Sequence, residues 1–159
     1  MATRQELVDT VRGFIQRADR IAASLSPADW EKTIYEQGWT VKQAYCHLAS
    51  LGASIPFFVN MTTNPQLAGS IGAGFDVDAW NAQQVAQRQD KSNEEILAEL
   101  RTGFEDSLKF LDGVSDGVLA IETTSAFSGQ RGTLADILVG SFTGHHSVHL
   151  DDIEQAIRS

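Results

Sequence analysis

"TLADILVGSFTGHHSVHLDDIEQA", residues 133–156, repeats its apolar residues with the period of a helix. Leu134, Leu138, Phe142, His145, His149 and Ile153 follow one another at steps of four and three. That spacing puts them on one face of an α-helix, with polar residues on the other. Thr133 and Asp136 stand in the positions of a capping pair, so the helix is expected to begin near Thr133 and to end near Ala156.

The same period recurs on the N-terminal side. Leu7, Val11, Phe14, Ala18, Ile21 and Leu25 predict a first helix over about Thr3–Leu25, opened by a Thr3/Glu6 capping box and closed before Pro27. A second helix begins in "GWTVKQ", residues 38–43, where Thr40 can cap and Gln43 can reach back. Its stripe is Val41, Ala44, Leu48, Leu51 and Ile55, with a kink expected at Pro56. A third begins at Ser92 and Glu95 and carries Leu97, Leu100, Phe104, Leu108 and Leu111.

Between the second and third lies Asn60–Phe75, rich in glycine and without periodicity, which reads as a long loop or lid. Its "GSIGAGF" lacks the Lys-Ser/Thr of a phosphate-binding loop and follows no strand. A short helix is expected over Asp78–Gln89 and a short extended piece over Val118–Thr123, with no strand pairing. Four long amphipathic helices predict an all-α fold: a four-helix bundle with a long crossover loop and a short extra helix, one domain over 1–159.

Composition limits the partners. The 159 residues are 42% hydrophobic and 21% charged, with a net charge of −9. A chain so acidic, with scattered Lys and Arg, argues against nucleic acid or an anionic membrane surface as a partner. The single cysteine, Cys46, forms no internal disulfide, and a reducing cytoplasm is the expected location. "MATRQELVDTV" has no apolar signal core, and no stretch is apolar enough to span a membrane.

Three of the 4 histidines fall in the opening stretch. His145 and His149, four residues apart, are separated by about 40° of azimuth and about 6 Å of rise on a helix, so both can reach one ion. Both continue the stripe of Leu138 and Phe142. His146 lies about 100° further round and is expected at a flank or on the surface. His47 sits on the buried stripe of the second helix or beside it. Two readings stay open for the set. Each ring is a core histidine bonded to a neighbour, or His47, His145 and His149 hold a divalent metal, with zinc, nickel and iron all suited to imidazole. No HExxH is present, no Glu stands three before a histidine, and a cysteine ribbon is impossible.

"GWTVKQAYCHLAS" (38–50), "FDVDAWNAQQVAQRQDKSNEEILAELR" (75–101) and the opening stretch occur in an order that resembles the DinB-like superfamily. The resemblance is to the branch containing the N-terminal domain of mycothiol-dependent maleylpyruvate isomerase. It implies a four-helix bundle whose metal is held by His47, His145 and His149. It also implies a thiol-dependent transferase or isomerase using a low-molecular-weight thiol such as mycothiol or bacillithiol, and a homodimer. Other members of the superfamily are described as metal-dependent hydrolases.

The chain departs from that pattern at Asp151 and Asp152. Asp152 lies on the face of His149 and is either a solvated carboxylate or an outer partner that orients a ligand histidine. Three functions follow as expectations: a thiol-dependent transferase or isomerase acting on a small electrophile in a pocket roofed by 60–75, a metal-dependent hydrolase, or a non-catalytic metal- or ligand-binding stress protein. Cys46 points away from His47 and is not expected to be a nucleophile. Trp30, Trp39 and Trp80 read as packing residues, with Trp39 stapling the entry to the second helix.

Overall fold

A computed structural model describes residues 1–34, 38–71 and 74–159. The expected capping residues open the helices. Thr3 and Glu6 form a reciprocal capping box at α1 (Arg4–Ser24). Thr40 and Gln43 do so at α2 (Val41–Ser50) and Ser92 and Glu95 at α6 (Asn93–Asp112). Thr133 and Asp136 form the fourth, at α8 (Leu134–Ser141). Each box satisfies backbone N–H groups that the first helical turn leaves unpaired.

The second bundle helix is broken rather than kinked. α2 ends at Ser50 and α3 (Ser54–Thr63) follows after a turn. Pro56 lies in the first turn of α3, where its missing N–H costs nothing, but its ring excludes a helical carbonyl four residues earlier, at Gly52. That freed carbonyl accepts a hydrogen bond from the buried Ser107 hydroxyl of α6. At the same place a Cβ on Gly52 would stand 2.8 Å from the Gly103 Cα, so the two backbones meet where no side chain fits.

The stretch read as a loop over 60–75 is in part helical. α3 runs on to Thr63, and α4 (Pro65–Ser70) starts with Asn64 as its cap and Pro65 in its first position. Gly72 and Ala73 lie outside the described residues. α5 (Val77–Ala86) is the expected extra helix. After α6, the segment expected as unpaired extended chain holds α7 (Asp116–Leu119) and strand β1 (Glu122–Thr124). β1 pairs antiparallel with β2 (Arg131–Thr133), Thr123 opposite Gly132. Strands of three residues are too short to display alternation in a sequence. The Ser125 hydroxyl, which accepts from the N–H groups of Phe127 and Ser128, and Gly129 at φ 70° turn the hairpin.

The last bundle helix is also interrupted. α8 passes into a wide π turn over Phe142–His146, and α9 (Ser147–Arg158) continues from it. Packing runs α1 to α6, α6 to α2, α2 to α9 and α9 back to α1, so the bundle closes into a ring. The core has an aromatic centre in which Phe14, Phe104 and Phe142 meet edge to face, centroids 5.0–5.7 Å apart. At the bundle end, the Arg4 guanidinium binds the Leu111 carbonyl (2.5 Å), the Val114 carbonyl and Asp116 (2.8 Å), which ties α1 to the end of α6. The architecture is the expected four-helix bundle. No helix among the described residues is long and apolar enough to cross a membrane.

Candidate metal centre

α2 aims His47 into the bundle from its second turn, and His47 is 1% exposed. The π turn presents His145 at an exposed rim, and the first turn of α9 presents a buried His149. The three rings stand nearly perpendicular to one another, with interplanar angles of 73–89° and centroids 4.6–5.3 Å apart. Their Nε2 atoms converge: 3.4 Å from His47 to His145 and 3.1 Å from His149 to His145. The possible ligand atoms of the three all lie within 4.8 Å of one another. An ion about 2.0–2.1 Å from each nitrogen in tetrahedral geometry needs nitrogens roughly 3.3–3.4 Å apart.

The electrostatics agree with that geometry. Burial, helped by the neighbouring imidazoles, pushes His47 down to about 3 and His149 to about 4, and burial lowers His145 as well. All three rings are therefore neutral near pH 7 and keep a lone pair. Three Nε2 atoms facing one another cannot all be satisfied by mutual hydrogen bonds, because one proton serves one acceptor. A cation satisfies them together, so the residues present fit a metal with three nitrogen ligands. The Nδ1 of His47 is buried without a hydrogen-bond partner among the described residues.

His146 is not where the helical spacing put it. Instead of lying on the surface it is 1% exposed. Its ring stacks on Phe142 at 4.3 Å and meets Phe14 and Phe104 edge to face at 5.3 and 5.8 Å. The π turn is the cause. A wide turn rotates the residues that follow it, so His146 takes the inward position and His145 moves out to the rim. Burial pushes His146 to about 3, offset by the Ser141 carbonyl.

Asp151 faces away from the cluster and pairs with Arg17 at 2.5 Å. Asp152, three residues after His149, is half-buried on α9. Cys46 is buried, and burial pushes its thiol pKa up, which agrees with its exclusion as a nucleophile.

Trp39 has a place that its reading as a staple did not include. Its ring lies 5.1 Å from His47 and stacks toward His149 at 6.3 Å. The chain returns it there through a bridge between Thr33 and Thr40 and a hydrogen bond from the Ile34 N–H to the Trp39 carbonyl. No local pattern in the sequence reports that return. Trp39 also forms one wall of a cavity of about 390 Å³, completed by Asp78, Asn81 and Ala82 of α5. Among the described residues the wall facing Trp39 comes from α5. Trp30 packs in the core against Tyr45 at 5.1 Å, as a packing residue should.

Residues 11–154 match the family described as the mycothiol maleylpyruvate isomerase N-terminal domain. The chain belongs to this family. The family covers both helices that carry the histidine cluster, in agreement with the resemblance read from the motifs. Among solved structures, the chain is similar to YfiT from Bacillus subtilis, described as "a probable metal-dependent hydrolase with an unusual four-helix bundle topology". The TM-score is 0.71 at 17% identity, over 98% of this chain and 86% of that one. At that identity the likeness speaks for the fold alone, a four-helix bundle. No curated protein matches the chain.

Proposed function

We propose that this family member is a metal-dependent enzyme that uses a low-molecular-weight thiol to transfer to, or isomerise, a small electrophile. The observation that carries the metal centre is the convergence of three neutral Nε2 atoms, 3.1 and 3.4 Å apart, from two separate bundle helices, and the family match supports the choice of a thiol. His47, His145 and His149 would hold the ion, with zinc or nickel the first candidates and iron the third. A divalent cation so held acts as a Lewis acid and lowers the pKa of a thiol or water that meets it.

The chain's own residues supply the rest. The neutral imidazoles offer lone pairs without a proton to displace. The Trp39 indole covers the His47 and His149 rings on one side and screens them from water. Its other neighbours, Asp78, Asn81 and Ala82, line the cavity in which a small molecule would rest. Asn81 offers both a donor and an acceptor, and the Asp78 carboxylate disfavours an anionic group near it. Asp152, half-buried three residues after His149 on α9, would orient a ligand imidazole from outside the metal's own ligands. The reading includes a cytoplasmic homodimer, which sedimentation at micromolar concentration would test.

A second reading, a metal-dependent hydrolase, draws on the description of YfiT. One experiment separates the two. The protein is stripped of metal, reloaded with zinc or nickel, and offered small electrophiles and esters with and without mycothiol or bacillithiol. A conjugate or isomer formed only with thiol supports the first reading. Hydrolysis at the same rate without thiol replaces it with the second. Retention of metal by His47→Ala rejects the centre on which both rest.

A further inference from the structure

The π turn between α8 and α9 is held from both sides by side chains. The ring of His146 bonds through Nδ1 to the carbonyl of Ser141 at 2.9 Å. A carbonyl only accepts, so Nδ1 carries the proton. The Ser147 hydroxyl donates to the carbonyl of Phe142 at 2.8 Å, and its own N–H bonds to that same carbonyl, five residues back. Ser141 and Phe142 are the residues at which α8 gives way to the turn. Two consecutive side chains thus bond the two consecutive carbonyls at its mouth.

The packing around His146 sharpens the point. Its Nε2 is buried without a hydrogen-bond partner among the described residues. Aromatic neighbours surround the ring: Phe142, Phe14, Phe104 and the rim histidine, with the Ser141 hydroxyl 3.5 Å from Nδ1. In such a cage a phenyl ring would pack without the desolvation cost of a buried nitrogen. What imidazole adds over phenyl is the Nδ1–H bond to Ser141.

We infer that His146 and Ser147 are positioning residues that clamp the π turn open, and that the open turn sets His145 against His149 and His47. The inference rests on the metal-centre reading. The turn joins two rigid pieces with different anchors. α8 is fixed by Leu134 and Leu138 in the core, and α9 by Leu150 and Ile153. Closing the turn to regular α-helix removes its widening and rotates α9 about its axis relative to α8. His149 rides on α9 and His145 lies in the turn, so their 3.1 Å approach to each other and the approach to His47 change together. A packed core resists such a rotation only while one arrangement is favoured.

The test uses His146→Phe with Ser147→Ala. The pair keeps the cage filled and removes both donors. Zinc affinity is measured by competition with a chelating dye, thermal midpoint by calorimetry, and the turn by a crystal structure of the variant. The expected result is a zinc affinity at least tenfold weaker, a thermal midpoint within a few degrees of the parent, and a turn relaxed toward regular helix. Ser147→Thr, which keeps a hydroxyl, is expected to bind zinc as the parent does. A π turn retained in the double variant, or undiminished zinc affinity, overturns the inference. Should the parent bind no zinc or nickel, the metal-centre reading fails by itself, and the crystal structure still decides whether these side chains hold the turn. Should the double variant not fold, Ser147→Ala alone is measured in the same way, and an unchanged turn with unchanged affinity overturns the inference.

Discussion

His145 and His146 are consecutive, carry the same ring and live in different worlds. The first stands at an exposed rim with its Nε2 turned toward two other imidazoles. The second is sealed among three phenylalanines with one nitrogen bonded to backbone and the other to nothing described. Residue type therefore does not separate ligand from core here. The backbone does, through one wide turn that sends neighbouring side chains to opposite tasks.

The sharpest break of this comparison is made on the ligand side. His47→Ala, His145→Ala and His149→Ala are each expected to lose bound zinc or nickel, with affinity reduced by about two orders of magnitude or more given that even outer partners of metal ligands matter 10–100-fold. Elemental analysis of the purified variants checks this. On the core side the expectation reverses. His146→Ala should still take up one ion at saturating metal but should lose about 2–4 kcal/mol of stability, as large-to-small changes in packed cores do. Urea unfolding reads that loss.

Two smaller changes test how firmly each side is built. Gly52→Ala forces a Cβ to within 2.8 Å of the Gly103 backbone and is expected to cost about 1–3 kcal/mol by overpacking, visible in the same unfolding curves. Thr40→Ala removes the cap of the helix that carries His47 and is expected to cost about 1 kcal/mol. The mildest effect belongs to chelation. Treatment with EDTA is expected to leave the far-ultraviolet circular dichroism almost unchanged, because the helices bury their apolar stripes against one another. Collapse of the helical signal would make the histidine cluster a structural staple instead.

The bundle was legible because its helices announce themselves twice, by apolar period and by capping box. Thr3, Thr40, Ser92 and Thr133 all cap where their spacing to Glu6, Gln43, Glu95 and Asp136 says they should. His47, His145 and His149 were legible as candidates because they lie on or beside apolar stripes, but their meeting was implied by the resemblance, since the period of one helix says nothing about its neighbour. His146 was not, because a one-residue widening of a helix leaves no mark in composition, and an offset of about 100° per residue holds only for a regular turn. The break at Leu51–Ala53 was displaced from Pro56 because proline acts on the carbonyl four residues earlier. The helices within 60–75 were hidden by glycines, and the pairing of β1 with β2 by strands of three residues. Trp39 was readable as a helix-entry residue but not as a neighbour of two imidazoles, since that placement depends on chain return and not on period.

His47 and His145 are 98 positions apart along the chain and yet touch. Any solute captured jointly by them exists only on the folded molecule, so its chemical potential enters the folding equilibrium directly. Melting temperature then ceases to be a constant of the polypeptide and becomes a readout of how much free ion the surrounding solution contains.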